Sequence, residues 1–141
     1  MAVVVKRIYE KPAASDGVRV LVDRLWPRGV TKEAAAVKFW LRDLAPSNEL
    51  RQWFHTNPDA WRFFRKRYLK ELVSPEASAA LEKLYSVTQT GKKLTLLYAS
   101  TNEERNNATV LKELLDGTRK PPSSVGPARA GTGRIRKAQK K

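Results

Sequence analysis

The chain has no cysteine and a single histidine, His55, in 141 residues. Without thiols there can be no disulfide, no thiolate metal ligand and no cysteine nucleophile. One histidine completes neither a Cys–His pair nor a histidine metal cluster, so neither a metal nor a cofactor is expected. No apolar run is long enough to span a bilayer, and no membrane role is expected. The opening Met1-Ala2-Val3-Val4-Val5-Lys6-Arg7 places its charges after a short apolar run. That order is the reverse of a secretory signal and fits a first strand, so the expected location is cytoplasmic. No phosphate loop, dinucleotide glycine fingerprint, EF-hand loop or internal repeat appears.

Acidic residues are also scarce. Lysine and arginine total 28 against 14 aspartates and glutamates, for a net charge of +14. All the acids lie before Thr118, so residues 118–141 hold +8 and the preceding body +6. A basic body with an acid-free basic tail attracts polyanions at long range. The tail cations Arg129, Arg134, Arg136, Lys137, Lys140 and Lys141 are therefore candidate contacts for non-specific nucleic-acid binding. Pro121-Pro122-Ser123-Ser124, Gly126-Pro127 and Gly131-Thr132-Gly133 predict disorder in this tail. The division is thus one domain over residues 1–117 and a disordered basic tail over 118–141. At 41% hydrophobic residues, the domain has enough apolar mass for a core.

Three apolar, β-branched runs read as strands: residues 3–9, 18–25 and 94–100. The second and third suit burial on both faces, as in a parallel sheet, with Arg19 near an edge or mouth. Residues 31–36 are helix-prone, and Phe39, Trp40 and Leu44 continue into a second amphipathic piece that Pro46 ends. Ser47 is a cap for a helix over 48–54. Asn57-Pro58-Asp59 signals a helix over 58–72, with Trp61, Phe64, Tyr68 and Leu72 on one face. Ser74-Pro75-Glu76 opens another helix, to about Val87, and Gly91 follows as a stop. Ser100 with Glu103, and Thr101 with Glu104, have capping-box spacing, which predicts a helix directly after the third strand and ending at Gly117. Alternating strands and helices give an α/β fold: a small, mostly parallel sheet flanked by helices.

Ligands of such sheets bind outside the carboxyl ends of the strands. Two segments fall there. The first is Asp23-Arg24-Leu25-Trp26-Pro27-Arg28-Gly29, where Arg24, Trp26 and Arg28 suit an anion or base pocket, or an Asp23–Arg24 pair only fixes the turn. The second is the junction holding Ser100, Glu103, Asn106 and Asn107, where helix amides and hydroxyls can face an anion or merely cap the helix. The asparagines are poor helix formers, and something other than propensity is expected to hold them. Parallel pairing predicts that the two segments meet on one edge of the sheet. Asp23 and Glu103 are the candidate acid/base carboxylates there; His55, beside aromatics in a loop, reads as structural. Arg62, Lys66 and Lys70, flanked by Arg65 and Arg67, form a basic stripe that reads as a solvated helix face, with Phe63 buried against a neighbouring helix.

The pattern Val20-Leu21-Val22-Asp23-Arg24-Leu25-Trp26-Pro27-Arg28-Gly29 is followed by Trp40-Leu41-Arg42-Asp43-Leu44-Ala45-Pro46-Ser47 and Glu49-Leu50-Arg51-Gln52-Trp53-Phe54. Together they resemble the YeaO-like branch of a bacterial and archaeal family, domain of unknown function 488, from about Val5 to Leu115. The resemblance implies a small α/β protein with a parallel sheet and carries no firm reaction. More distant members of that family have a Cys-His-Arg group around the positions of Asn106, Asn107 and Ala108, which this chain lacks. The expected function is binding of a phosphate-bearing small molecule or nucleic acid at the carboxyl edge of the sheet. The alternatives are an enzyme using a carboxylate there, or an ion-pair cluster that only stabilises the fold.

Overall fold

The computed structural model describes residues 3–117, so the predicted basic tail lies outside the described residues. Four parallel strands, β1 (Val3–Arg7), β2 (Val18–Leu21), β3 (Phe39–Trp40) and β4 (Leu94–Tyr98), pair in the order β1-β4-β2-β3. The last strand in sequence thus enters the middle of the sheet, between the first two. All five residues of β4 are buried, as suits a near-continuous apolar run interrupted at Thr95. Helices α1 (Lys32–Ala35), α2 (Asn48–Thr56), α3 (Trp61–Glu71), α4 (Pro75–Thr88) and α5 (Asn107–Gly117) complete the α/β fold.

Strand alternation sorts the core into two layers. Val20, Val22, Leu94, Leu96 and Tyr98 pack with Leu50 of α2, Phe64 and Tyr68 of α3, Leu81 and Leu84 of α4 and Leu111 of α5. On the other face Leu21 and Leu97 meet Ile8, Ala35, Trp26 and Trp40 in a smaller cluster. Ser47 and Ser74 cap α2 and α4 by accepting the N–H of Leu50 and Ala77. The Ser47 N–H and hydroxyl also donate to Glu71 at 2.8 and 2.7 Å, which joins the start of α2 to the end of α3.

Several expectations change. Phe39 and Trp40 form a short strand beside β2, not a helix, because Lys38 and Leu41 donate to the carbonyls of Arg19 and Leu21. The second strand ends at Leu21 rather than residue 25, since Asp23 and the residues after it turn away from the ladder. Pro58 and Asp59 form a turn, and α3 starts at Trp61. Asn57 donates its side-chain amide back to the Trp53 carbonyl at 2.8 Å, so it closes α2 instead of opening α3. Phe63 is 49% exposed rather than buried.

Arg19 is the largest correction. It is only 4% exposed and lies within the sheet, not at its mouth. Its guanidinium donates to the Ala35 carbonyl at 3.0 and 2.7 Å and to Asp16 at 2.6 Å. Asp16, in the 3-10 turn Ala14–Asp16, also accepts from Lys6 of β1 at 3.0 Å and from the Ala13 N–H at 3.0 Å. Thr95 of β4 donates to the Asp16 carbonyl at 2.6 Å. The turn thus covers the amino-terminal part of the face that carries the Leu21–Leu97 cluster, and there charge pairing takes the place of apolar contact. Gly17 lets the turn lie that close: its φ is +67°, and a Cβ there would stand 2.3 Å from the Lys93 carbonyl oxygen.

Burial pushes the Asp16 carboxyl up, but hydrogen bonds from Ala13, Lys6 and Arg19 and the Lys6 charge outweigh it, lowering the pKa from 3.8 to about 2. Because the folded pKa is the lower one, this stabilisation is complete above about pH 4 and is lost as pH falls through about 2. Its size is on the order of 2 kcal/mol. Asp16→Asn leaves the Arg19 charge buried and is expected to cost about 3–5 kcal/mol at neutral pH. Urea unfolding across that pH range, on both proteins, checks the loss and its disappearance in the variant. Gly17→Ala is expected to cost about 1–3 kcal/mol by the same measurement, and an unchanged midpoint would contradict the close approach.

Candidate functional site

Because β2 and β4 are parallel neighbours, the segments that leave their carboxyl ends emerge side by side. They line one cavity of about 460 Å³. From the first segment come Asp23, Arg24, Leu25, Trp26, Pro27 and Arg28; from the second, Ala99, Ser100, Thr101, Arg105, Asn106 and Asn107. Tyr9 follows β1, Ala45 and Pro46 precede α2, and Arg51, Phe54, His55 and Phe64 come from α2 and α3.

Asp23 ties the two strand ends together. One carboxylate oxygen accepts the Ala99 N–H at 2.9 Å and the other accepts the Asn107 side-chain amide at 3.1 Å. The same amide also donates to the Val22 carbonyl at 2.9 Å. Burial raises the Asp23 pKa, against the opposing pull of Asn107, Ala99 and the Arg51 charge. Among the described residues Asp23 forms no ion pair with Arg24. Arg24 instead donates to the carbonyls of Ala45 and Pro46, at 3.2 and 3.5 Å.

The asparagines prove to be the start of α5 rather than its interior. Asn106 accepts the Thr109 N–H at 3.0 Å while Thr109 accepts the Asn106 N–H at 3.1 Å, a reciprocal cap. The helix therefore begins at Asn107, and the predicted boxes at Ser100 and Thr101 do not form. Asn102 takes that stretch into a turn by accepting the N–H groups of Glu104 and Arg105. Glu103 is exposed on this turn and does not line the cavity. Ser100 lines it, with its hydroxyl accepting the Asn102 N–H at 3.1 Å.

Trp26 lines the cavity but is engaged within the fold. Its indole donates to the Val30 carbonyl at 2.6 Å, and its ring meets Trp40 edge-on at 5.4 Å. Trp40 in turn donates to the Asp23 carbonyl at 2.7 Å. The two rings fold the segment after β2 back against the sheet.

The electrostatic balance of the cavity is strongly positive. Arg24, Arg28, Arg51 and Arg105 line it against one acid, Asp23. Among the described residues none of these arginines has a carboxylate within ion-pair distance. The stabilising ion-pair cluster expected as one alternative is absent here; the buried pairing of the fold is at Asp16. Arg51, Arg105 and His55 join the candidate site from outside the predicted set. Arg51 and His55 stand at i and i+4 on α2, a spacing visible in the sequence. The capping-box spacing at Ser100 and Thr101 hides Arg105, because it places in a helix a residue that stands in the turn before α5. Among the described residues no His, Asp and Glu group is arranged to hold a metal ion, and no helix is long and apolar enough to cross a membrane.

Comparison with known proteins places the chain in a family. A family model described as "Inactive DUF488-N3 subclade" matches residues 2–124. The uncharacterized protein Rv3073c of Mycobacterium tuberculosis is 43% identical over 114 residues, covering 80% of this chain and 92% of its own. The uncharacterized protein YeaO of Escherichia coli is 41% identical over 110 residues, covering 78% and 93%. No solved structure matches. With a family match over most of its length and relatives above 40% identity across nearly their whole chains, this protein belongs to the DUF488 family, in the DUF488-N3 subclade described as inactive.

Proposed function

We propose that this protein binds a phosphate-bearing small molecule in the cavity at the carboxyl edge of the sheet, without turning it over. The observation that carries the reading is the charge of the cavity: four arginines face one acid whose two oxygens are already bonded. Guanidinium groups are the side chains best suited to phosphate oxygens, through paired, charge-assisted hydrogen bonds. Tyr9, Leu25, Phe54 and Phe64 supply an apolar wall for the organic part of the ligand. A volume of about 460 Å³ suits a small organic molecule rather than a duplex.

The absence of turnover is supported by the chemistry available. There is no cysteine, Glu103 stands outside the cavity, Asp23 is held by Ala99 and Asn107, and His55, which lines the cavity, has no carboxylate partner among the described residues. The subclade's description as inactive points the same way. Nucleic-acid binding through the tail cations remains a separate proposal on residues outside those described.

Calorimetric titration with inorganic phosphate, nucleoside monophosphates and sugar phosphates tests the reading, alongside native mass spectrometry of the purified protein. Arg28→Ala and Arg51→Ala are each expected to weaken the best ligand about tenfold or more, with little change in stability. Arg24→Ala is expected to lower stability as well, because its guanidinium satisfies the Ala45 and Pro46 carbonyls. Failure of every phosphate compound to bind the wild-type protein, or unchanged affinity in both variants, would remove the proposal.

A further inference from the structure

The exposed face of α3 carries a second concentration of positive charge, apart from the cavity. Of its five cations, Arg65 alone is paired, to Glu113 at 2.7 Å. Arg62, Lys66, Arg67 and Lys70 are exposed and have no ion-pair partner among the described residues. The one acid of the helix, Glu71, is turned to Ser47 and held there by two hydrogen bonds. The charge on this face therefore has no neutralising partner within its own helix.

An aromatic ring stands among these cations. Phe63 is 49% exposed although α2 lies beside it. Its ring rests on Trp53 at 5.0 Å between centroids, and the Arg67 guanidinium lies over it at 5.5 Å. The ring is thus fixed in place yet half open. A purely solvated helix face explains the cations but gives no reason for a supported, half-open phenylalanine at their centre.

We infer that this face binds single-stranded nucleic acid, with a base stacking on Phe63 in the place that the Arg67 guanidinium takes in the free protein, and the backbone phosphates running along Arg62, Lys66, Arg67 and Lys70. Strand-binding surfaces without sequence preference combine these two elements: a basic track and an aromatic platform. The alternatives fit less well. Insertion into a lipid surface needs a broad apolar face, and Phe63 is the single large exposed apolar residue of α3. An acidic peptide would use the cations and leave the ring without a role.

The test uses the full chain and fluorescence anisotropy with a labelled, unstructured single-stranded oligonucleotide across a salt series. Lys66→Ala/Arg67→Ala is expected to weaken binding about tenfold or more and to make the slope of log affinity against log salt shallower by about 1.4. Phe63→Ala is expected to weaken binding about tenfold while leaving that slope unchanged, the signature of a stacking contact. Lys66 and Arg67 are exposed and Phe63 half-exposed, and circular dichroism checks that each variant is folded. Arg28→Ala, in the cavity, is expected to bind the strand as the wild-type protein does, so this inference and the proposed cavity function fail independently. Wild-type affinity in the α3 variants would assign strand binding to other residues, the tail among them, and overturn the inference. So would the absence of strand binding at low salt, or equal competition by polyglutamate or by anionic phospholipid vesicles.

Discussion

The junction at Asp23 is the constraint on which the candidate site depends. β4 enters the sheet last in sequence and sits between strands that precede it by some 70 to 90 residues. The parallel pairing of β2 and β4 sets their ends side by side but does not by itself fix the segments that follow. Asp23 does that, by accepting from Ala99 on one side and from Asn107 on the other. Asn107 adds a bond to the Val22 carbonyl, so the first residue of α5 is tied to the end of β2. A carboxylate kept in this partly buried place has its pKa raised by burial, and its hydrogen bonds oppose that cost.

The same logic recurs elsewhere in the molecule. Asp16 is taken up by Lys6 and Arg19, Asp23 by backbone and amide donors, and Glu71 by the cap of α2. Acids placed inside the fold are used to join elements together. In a chain with half as many acids as bases, that use leaves basic residues on the cavity wall and on α3 without a carboxylate partner among the described residues. The positive character of these surfaces is thus a consequence of where the few acids are held, as well as of how many there are.

Much of the architecture was legible along the chain. The apolar runs at β1, β2 and β4 and the serine caps of α2 and α4 are local signals, and each element starts where its chemistry placed it, although the strands end at Arg7, Leu21 and Tyr98, short of the predicted bounds. Local signals also misled. Asn57 had the composition of an N-cap but serves the preceding helix, and Ser100 and Thr101 had capping-box spacing without forming the cap. In each case a competing local hydrogen bond, at Trp53 or at Asn102, satisfied the same groups more directly. Phe39 and Trp40 became a strand because β2 offered an open edge, which no window of sequence around them reveals.

The α/β class, the parallel character of the sheet, the DUF488 motif and the place of the candidate site beyond two strand ends could all be read along the chain. The motif is read from its resemblance to that family, and the rest from periodicity, capping chemistry and composition, which act over a few residues. Packing set which charges remain available. It buried Arg19 against Asp16, gave Arg24 to two carbonyls, removed Glu103 from the cavity and brought Arg51, His55 and Arg105 into it. The reason is physical: a charged side chain is neutralised, capped or left open by neighbours that are remote in sequence, and only packing selects those neighbours.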